Sequence, residues 1–177
     1  MTNGNLAVKI LPYNNRAPKI FEDIRRFLCE TIPYEINVEH IGSTAVPGLG
    51  GKGIIDILII TKRKYMWKIF ELLKSKGYKS NPNTGNPPER LFVSGPYKYG
   101  SKELHIHIHI TFYGSQEHKD KLLFRDYLSQ HPEETKKYYE LKKQWSLDAG
   151  SDASKYTKLK TSYITRILEK ARRETKN

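Results

Sequence analysis

Cysteine is the scarcest reactive residue in this chain: 177 residues contain one, Cys29. A lone thiol excludes an internal disulfide framework and suits a reducing compartment. Long hydrophobic runs are missing too, so no segment is expected to span a bilayer, and the amino terminus has no signal-like character. The expected location is cytoplasmic, with no membrane partner. Acidic residues are outnumbered, 19 against 31 Lys and Arg, for a net charge of +12. That balance favours anionic partners such as nucleotides, phosphorylated coenzymes or RNA, without choosing among them. The charge is spread along the chain with neither an Arg-rich arm nor an RNP-like aromatic box, which disfavours RNA. There is no CxxC pair, Walker loop, dinucleotide fingerprint or Ser-His-Asp order. Nothing in the sequence sets the oligomeric state.

What is present is a succession of well-marked elements. "LAVKILPYN" has strand character. "APKIFEDIRRFLCETI" places Ile20, Ile24, Phe27 and Leu28 at helical spacing, with Pro18 tolerated in the first turn. "YEINVEHI" reads as a strand, and "GSTAVPGLGGKG" is too rich in Gly and Pro for any regular element. "IIDILII" reads as a central strand buried on both faces. "RKYMWKIFELLKSKG" is helical, with Tyr65, Ile69, Leu72 and Leu73 on one face and Gly77 as its C-cap. "SNPNTGNPPER" is a turn-rich loop, and "RLFVSG" and "ELHIHIHITF" are strands. Three helices are expected to follow, separated by breaks at His131-Pro132 and Asp148-Ala149-Gly150. The expected fold is α+β: a mixed sheet of about four or five strands with flanking helices and a helical C-terminal part. It forms one domain over 1–177, with an α/β core over 1–115 and C-terminal helices over 116–177.

Within this frame, Asp56 stands alone as a carboxylate in an apolar strand, close after the Gly42-Ser43 turn. Burying a charge is costly unless it is paired, hydrogen-bonded or holding a cation, which makes Asp56 a functional candidate. A Gly-Ser turn after a strand can offer N–H groups and a hydroxyl to phosphate. Hydrophobic-Gly-Ser, a spacer, then hydrophobic-Asp-hydrophobic resembles the nucleotidyltransferase superfamily. There the Gly-Ser loop holds a triphosphate and carboxylates hold divalent cations. The resemblance is incomplete, because the usual second carboxylate is here Leu58.

A wider resemblance covers nearly the whole chain. "VKILPYNNRAPKIFEDI", "VEHIGSTAVPGLGGKGIIDI", "HIHITFYGSQEHKDKLLFRDYLSQHPE" and "YYELKKQW…YTKLKTSYI" are similar to the GrpB, or UPF0157, family. The family often has Lys-Pro where this chain has Lys52-Gly53. The resemblance implies a nucleotidyltransferase-like fold and implies an activity only weakly, since the family has no well-established reaction.

"LHIHIHIT" puts His105, His107 and His109 on one strand face, since side chains repeat every two residues. By comparison with the family pattern, His107 and His109 are the paired histidines and His105 is an extra. We expect His107 or His109 to stand where the superfamily has a further carboxylate, giving Asp56, His107 and His109 as catalytic and metal-ligating candidates. Imidazole ligands would move preference from Mg²⁺ towards Mn²⁺ or Zn²⁺. The same residues fit a rival pattern, the histidine-triad nucleotide hydrolases, with His107 as nucleophile and Thr111 departing from the motif. That pattern leaves Gly42, Ser43 and Asp56 unexplained. The plain structural alternative is a half-exposed strand.

The phosphate or nucleotide ligands expected from the loop are Gly42, Ser43, Thr44 and Lys52, with Arg125 of "FRDYL" as a further candidate. Lys160 matches a lysine of the family pattern and is a weaker one. His40, Asp126 and Cys29 are read as structural, Cys29 as a packed thiol. Tyr138, Leu141 and Trp145, like Tyr156, Leu159 and Tyr163, have core spacing. Together these readings give a nucleotidyltransferase-like protein that binds a nucleotide or phosphorylated small molecule, with metal-dependent transfer an open question. The alternatives are a non-catalytic phosphate-binding module, a histidine-triad hydrolase and an RNA-binding protein.

Overall fold

A computed structural model describes residues 8–80, 89–150 and 152–175. Most of the turn-rich loop expected after Ser80 lies outside them. The elements run α1 (Ala17–Thr31), β1 (Ile36–Ile41), β2 (Ile55–Thr61), α2 (Met66–Ser75), β3 (Leu91–Tyr99), β4 (Lys102–Phe112), α3 (Gln116–Gln130), α4 (Pro132–Ala149) and α5 (Ala153–Glu174). Four strands form one mixed sheet in the order β1-β2-β4-β3. β2 pairs parallel with β4, while β1 with β2 and β3 with β4 are antiparallel. The expected α+β architecture is therefore present.

The apolar runs explain the layering. Alternate residues of β2 and β4, Ile55, Ile57 and Ile59 with Ile106, Ile108 and Ile110, face α1 and α2 and form the main core. α1 contributes Ala17, Ile20, Phe21, Ile24 and Leu28, a stripe at helical spacing. Cys29 is exposed, not packed as expected. It follows Leu28 by about 100° of helix rotation, which carries it off the buried stripe. Gly77 ends α2 with φ 96°, the left-handed conformation of a C-terminal cap.

Two strand expectations need correction among the described residues. "LAVKILPYN" contributes only an isolated bridge, in which Leu11 exchanges hydrogen bonds of 2.7 and 2.9 Å with Gly51. Pro12 follows at once and has no N–H to extend a ladder. In contrast, β3 runs through Gly95-Pro96 to Tyr99. Pro96 is tolerated because β3 is an edge strand. Gly95 lies under Tyr78, whose Cδ1 would be 2.9 Å from a Cβ there.

The other sheet face carries a smaller cluster of Ile41, Leu58 and Ile60 under Leu122 of α3. A third cluster joins the C-terminal helices to the loop after β1: Tyr127, Leu128, Tyr138, Tyr163, Ile167 and Ala171 enclose Val46 and Leu49. The Gly-rich loop is thus clamped between the sheet and the helical part. Among the described residues no helix is long and apolar enough to cross a membrane.

Candidate functional site

The centre of the site is set by strand register. β2 and β4 place Asp56 opposite His107 and Leu58 opposite His109, all on the face turned towards the C-terminal helices. His107 Nδ1 and Asp56 Oδ1 are 3.0 Å apart. Asp56 is 22 % exposed and His107 30 %, so the carboxylate is partly open to solvent and not sealed in the core. Burial raises the Asp56 pKa, but the His107 hydrogen bond, with the charges of His107, His109 and Lys160, brings it below its ordinary value. An ionised Asp56 can only accept, so Nδ1 of His107 carries the shared proton.

Gly42 closes the turn over this pair. Its φ of 72° favours glycine, and a Cβ would collide with Asp56 Oδ2 and lie 2.8 Å from Asp56 Cβ. Ser43 to Ala45 form one 3-10 turn. Thr44 is buried beneath it, and its hydroxyl donates to Ile54 O at 3.3 Å. Having given up its proton, that hydroxyl accepts from His40 Nε2 at 3.0 Å, which fixes the His40 tautomer. His40 also stacks on Phe21, ring centroids 4.6 Å apart. Thr44 and His40 therefore brace the loop from below.

The other wall is supplied by the C-terminal helices. α4 buries a stripe of Thr135, Tyr138, Lys142, Ser146 and Ala149, placing a lysine among core residues. Lys142 is 3 % exposed. Its Nζ donates to Gly50 O and lies 4.9 Å from the centroid of the Tyr138 ring. Gly51 has no room for a side chain: a Cβ would collide with Ser43 Oγ and stand 3.5 Å from Lys142 Nζ. Ser43, Gly51 and Lys142 thus meet at one point. Burial, then Lys160, lowers the Lys142 pKa to about 7 against the opposing pull of Asp56. Lys160, on α5, is open to solvent over the residue as a whole. Crowding around its ammonium lowers its pKa, opposed by Asp56 and reinforced by Lys121 and Lys52. Lys52 is exposed at the mouth, its Nζ 5.4 Å over the Tyr156 ring.

Lys142 is the site residue that sequence reasoning missed. The signal was its place in the stripe containing Tyr138, where a charged side chain demands a reason to be buried. The structure brings Gly42, Ser43, Asp56 and His107 together, and the charge of Lys160 acts on Asp56. Arg125 is committed elsewhere: its guanidinium reaches Glu39 at 2.8 Å, His40 O at 3.0 Å and Asp126 at 2.7 Å, tying α3 to β1. His105 is exposed, its ring 5.5 Å from that of His107.

A divalent cation finds few donors in this arrangement. His109 sits against Phe92, and its buried Nδ1 has no hydrogen-bond partner among the described residues. Burial, with Lys121 next, holds its pKa well below the ordinary value. Leu58, at the same register, is fully buried with Ile41 and Ile60 beneath the partly buried Leu122. The place of the second carboxylate is packed hydrocarbon. Among the described residues, no three His, Cys, Asp or Glu side chains are grouped to hold a metal ion. As arranged, these residues do not fit a two-cation centre.

Comparison with known proteins agrees with this architecture. UPF0157 protein YqkA of Bacillus subtilis is 33% identical over 168 residues, covering 94% of this chain and 48% of that protein. UPF0157 protein PA4798 of Pseudomonas aeruginosa is 33% identical over 178 residues, covering 96% of this chain and 70% of that protein. The chain thus spans about half the length of YqkA. The crystal structure of conserved protein GrpB from Enterococcus faecalis superposes with a TM-score of 0.79 at 28% identity, covering 96% of this chain and 100% of that one. The family model described as GrpB protein matches residues 7–170, and the chain belongs to that family.

Proposed function

We propose that the site between β2, β4 and the C-terminal helices binds a phosphorylated ligand, a nucleotide or a phosphorylated small molecule, in a nucleotidyltransferase-like setting. One observation carries the reading: the Ser43 hydroxyl and the buried Lys142 ammonium flank the same stretch of Gly50-Gly51 backbone beside Asp56. A hydroxyl and a desolvated cation at one point suit an anion with several oxygens, and the absence of side chains at Gly42 and Gly51 is what lets Asp56 and Ser43 pack against the loop backbone there. Lys52 and Lys160 add positive charge near the mouth. The packed Leu58 favours, as a second reading, binding without transfer chemistry.

The test is a thermal-shift and calorimetric panel of the four ribonucleoside triphosphates and a phosphorylated coenzyme, each beside its unphosphorylated counterpart. A ligand at a hundred times its Kd should stabilise the fold by about 2.7 kcal/mol. We expect saturable stabilisation by phosphorylated compounds alone, weakened by Ser43→Ala. Equal effects from phosphorylated and unphosphorylated members, or none from any, would refute the reading.

A further inference from the structure

We infer that the phosphoryl charge is neutralised here by lysine and not by a divalent cation: Lys142, with Lys160, forms a metal-independent polyphosphate site, and Asp56 serves to orient His107. This rests on the phosphorylated-ligand reading above. Three observations lead to it. First, Asp56 is committed to His107 Nδ1, and hydrocarbon occupies the position from which a second carboxylate would reach a cation. Second, the surroundings of Asp56 are rich in ammonium groups: Lys142 and Lys160 both feel its carboxylate, and Lys52 and Lys121 both bear on Lys160. A cation entering here would meet this positive charge with one carboxylate to hold it. Third, Lys142 is desolvated at a cost, and the neutral groups that hold it, one carbonyl and one aromatic face, offset only part of that cost. A polyanion supplies the missing compensation.

Lysine differs from a metal in a way that one substitution reads. In a cation site Asp56 attracts the ligand through the metal, and removing its charge weakens binding. In a lysine site the same carboxylate repels the phosphoryl charge but also favours the charged forms of Lys142 and Lys160, so the two effects oppose and binding survives its removal. The two arrangements therefore differ in whether binding is lost or retained on one substitution.

The experiment is isothermal titration of the full chain with inorganic tripolyphosphate, once in EDTA and once with Mn²⁺ or Mg²⁺. Wild type, Asp56→Asn, Lys142→Met and Lys160→Met are compared, the last being a more solvent-open position that keeps the test valid if Lys142→Met fails to fold. We expect binding in EDTA, about tenfold or more weaker in Lys142→Met and Lys160→Met, and retained in Asp56→Asn. Binding that requires the cation and is lost in Asp56→Asn would overturn the inference while leaving the phosphorylated-ligand reading in place. Absence of binding under both conditions would overturn both.

Discussion

His40 and Asp56 occupy opposite faces of one corner of the sheet, and their protons are linked to folding in different pH windows. Asp56 pairs with Ile41 on the site face, while His40 points to the core side against Phe21. Burial, then the charge of Arg125, pushes the His40 pKa down to about 4, against an opposing effect of Asp56. A histidine with a depressed folded pKa binds fewer protons in the native chain than in the unfolded one. Its contribution is therefore complete above the ordinary value near 6.5 and lost as pH falls towards 4, by about 3 kcal/mol in all. The depressed Asp56 carboxyl adds an acid loss only below the usual carboxylate range. Urea denaturation at pH 7 and pH 4.5 should show a large drop for wild type and a clearly smaller one for His40→Gln. Equal drops would remove His40 from this role.

At the scale of elements, α3 is held to the sheet by Arg125. Its guanidinium is 20 % exposed and pairs with Glu39 of β1, 27 % exposed, at 2.8 Å. Arg125→Ala would leave Glu39 facing the helix without its cation and free the His40 carbonyl, at a cost of about 2 kcal/mol. We expect a lower urea midpoint with ligand affinity little changed, because the guanidinium is turned to β1. A large loss of phosphate affinity at unchanged stability would instead make Arg125 a ligand contact. Local pattern reveals most of the elements: α3 covers the whole of "QEHKDKLLFRDYLSQ". It fails where tertiary context overrides it. Gly95-Pro96 looks like a strand end, but an edge position spares Pro96 a missing ladder bond and Tyr78 occupies the space above Gly95.

For the molecule as a whole, the site is assembled because the helical part closes on the loop. Val46 and Leu49 insert among Tyr127, Tyr138, Tyr163 and Ile167, and this contact brings Lys142 against Gly50. The net charge of +12, by contrast, is a property of the whole surface. Affinity of the surface for RNA should fall steeply as salt rises, through counterion release, whereas a compact buried site loses less. Fluorescence anisotropy with a single-stranded RNA from low to physiological salt checks this. RNA binding should weaken steeply and be the same in Lys142→Met. A salt-tolerant complex abolished by Lys142→Met would place RNA in the site.

The sequence by itself determined most of the elements and the α+β class, because those follow from the period of apolar residues and from local turn chemistry. It also singled out Gly42, Ser43, Thr44, Lys52, Asp56, His107, His109 and Arg125 as candidates, since strand alternation, a Gly-rich turn and residue type are local facts. Only the tertiary structure decided which of these meet. The register of β2 on β4 paired Asp56 with His107 and set Leu58 beside His109. The packing of α4 against the loop brought Lys142, far along the chain, to Ser43 and Gly51. Such neighbours are set by how separate elements pack, and no period within a single segment encodes that distance.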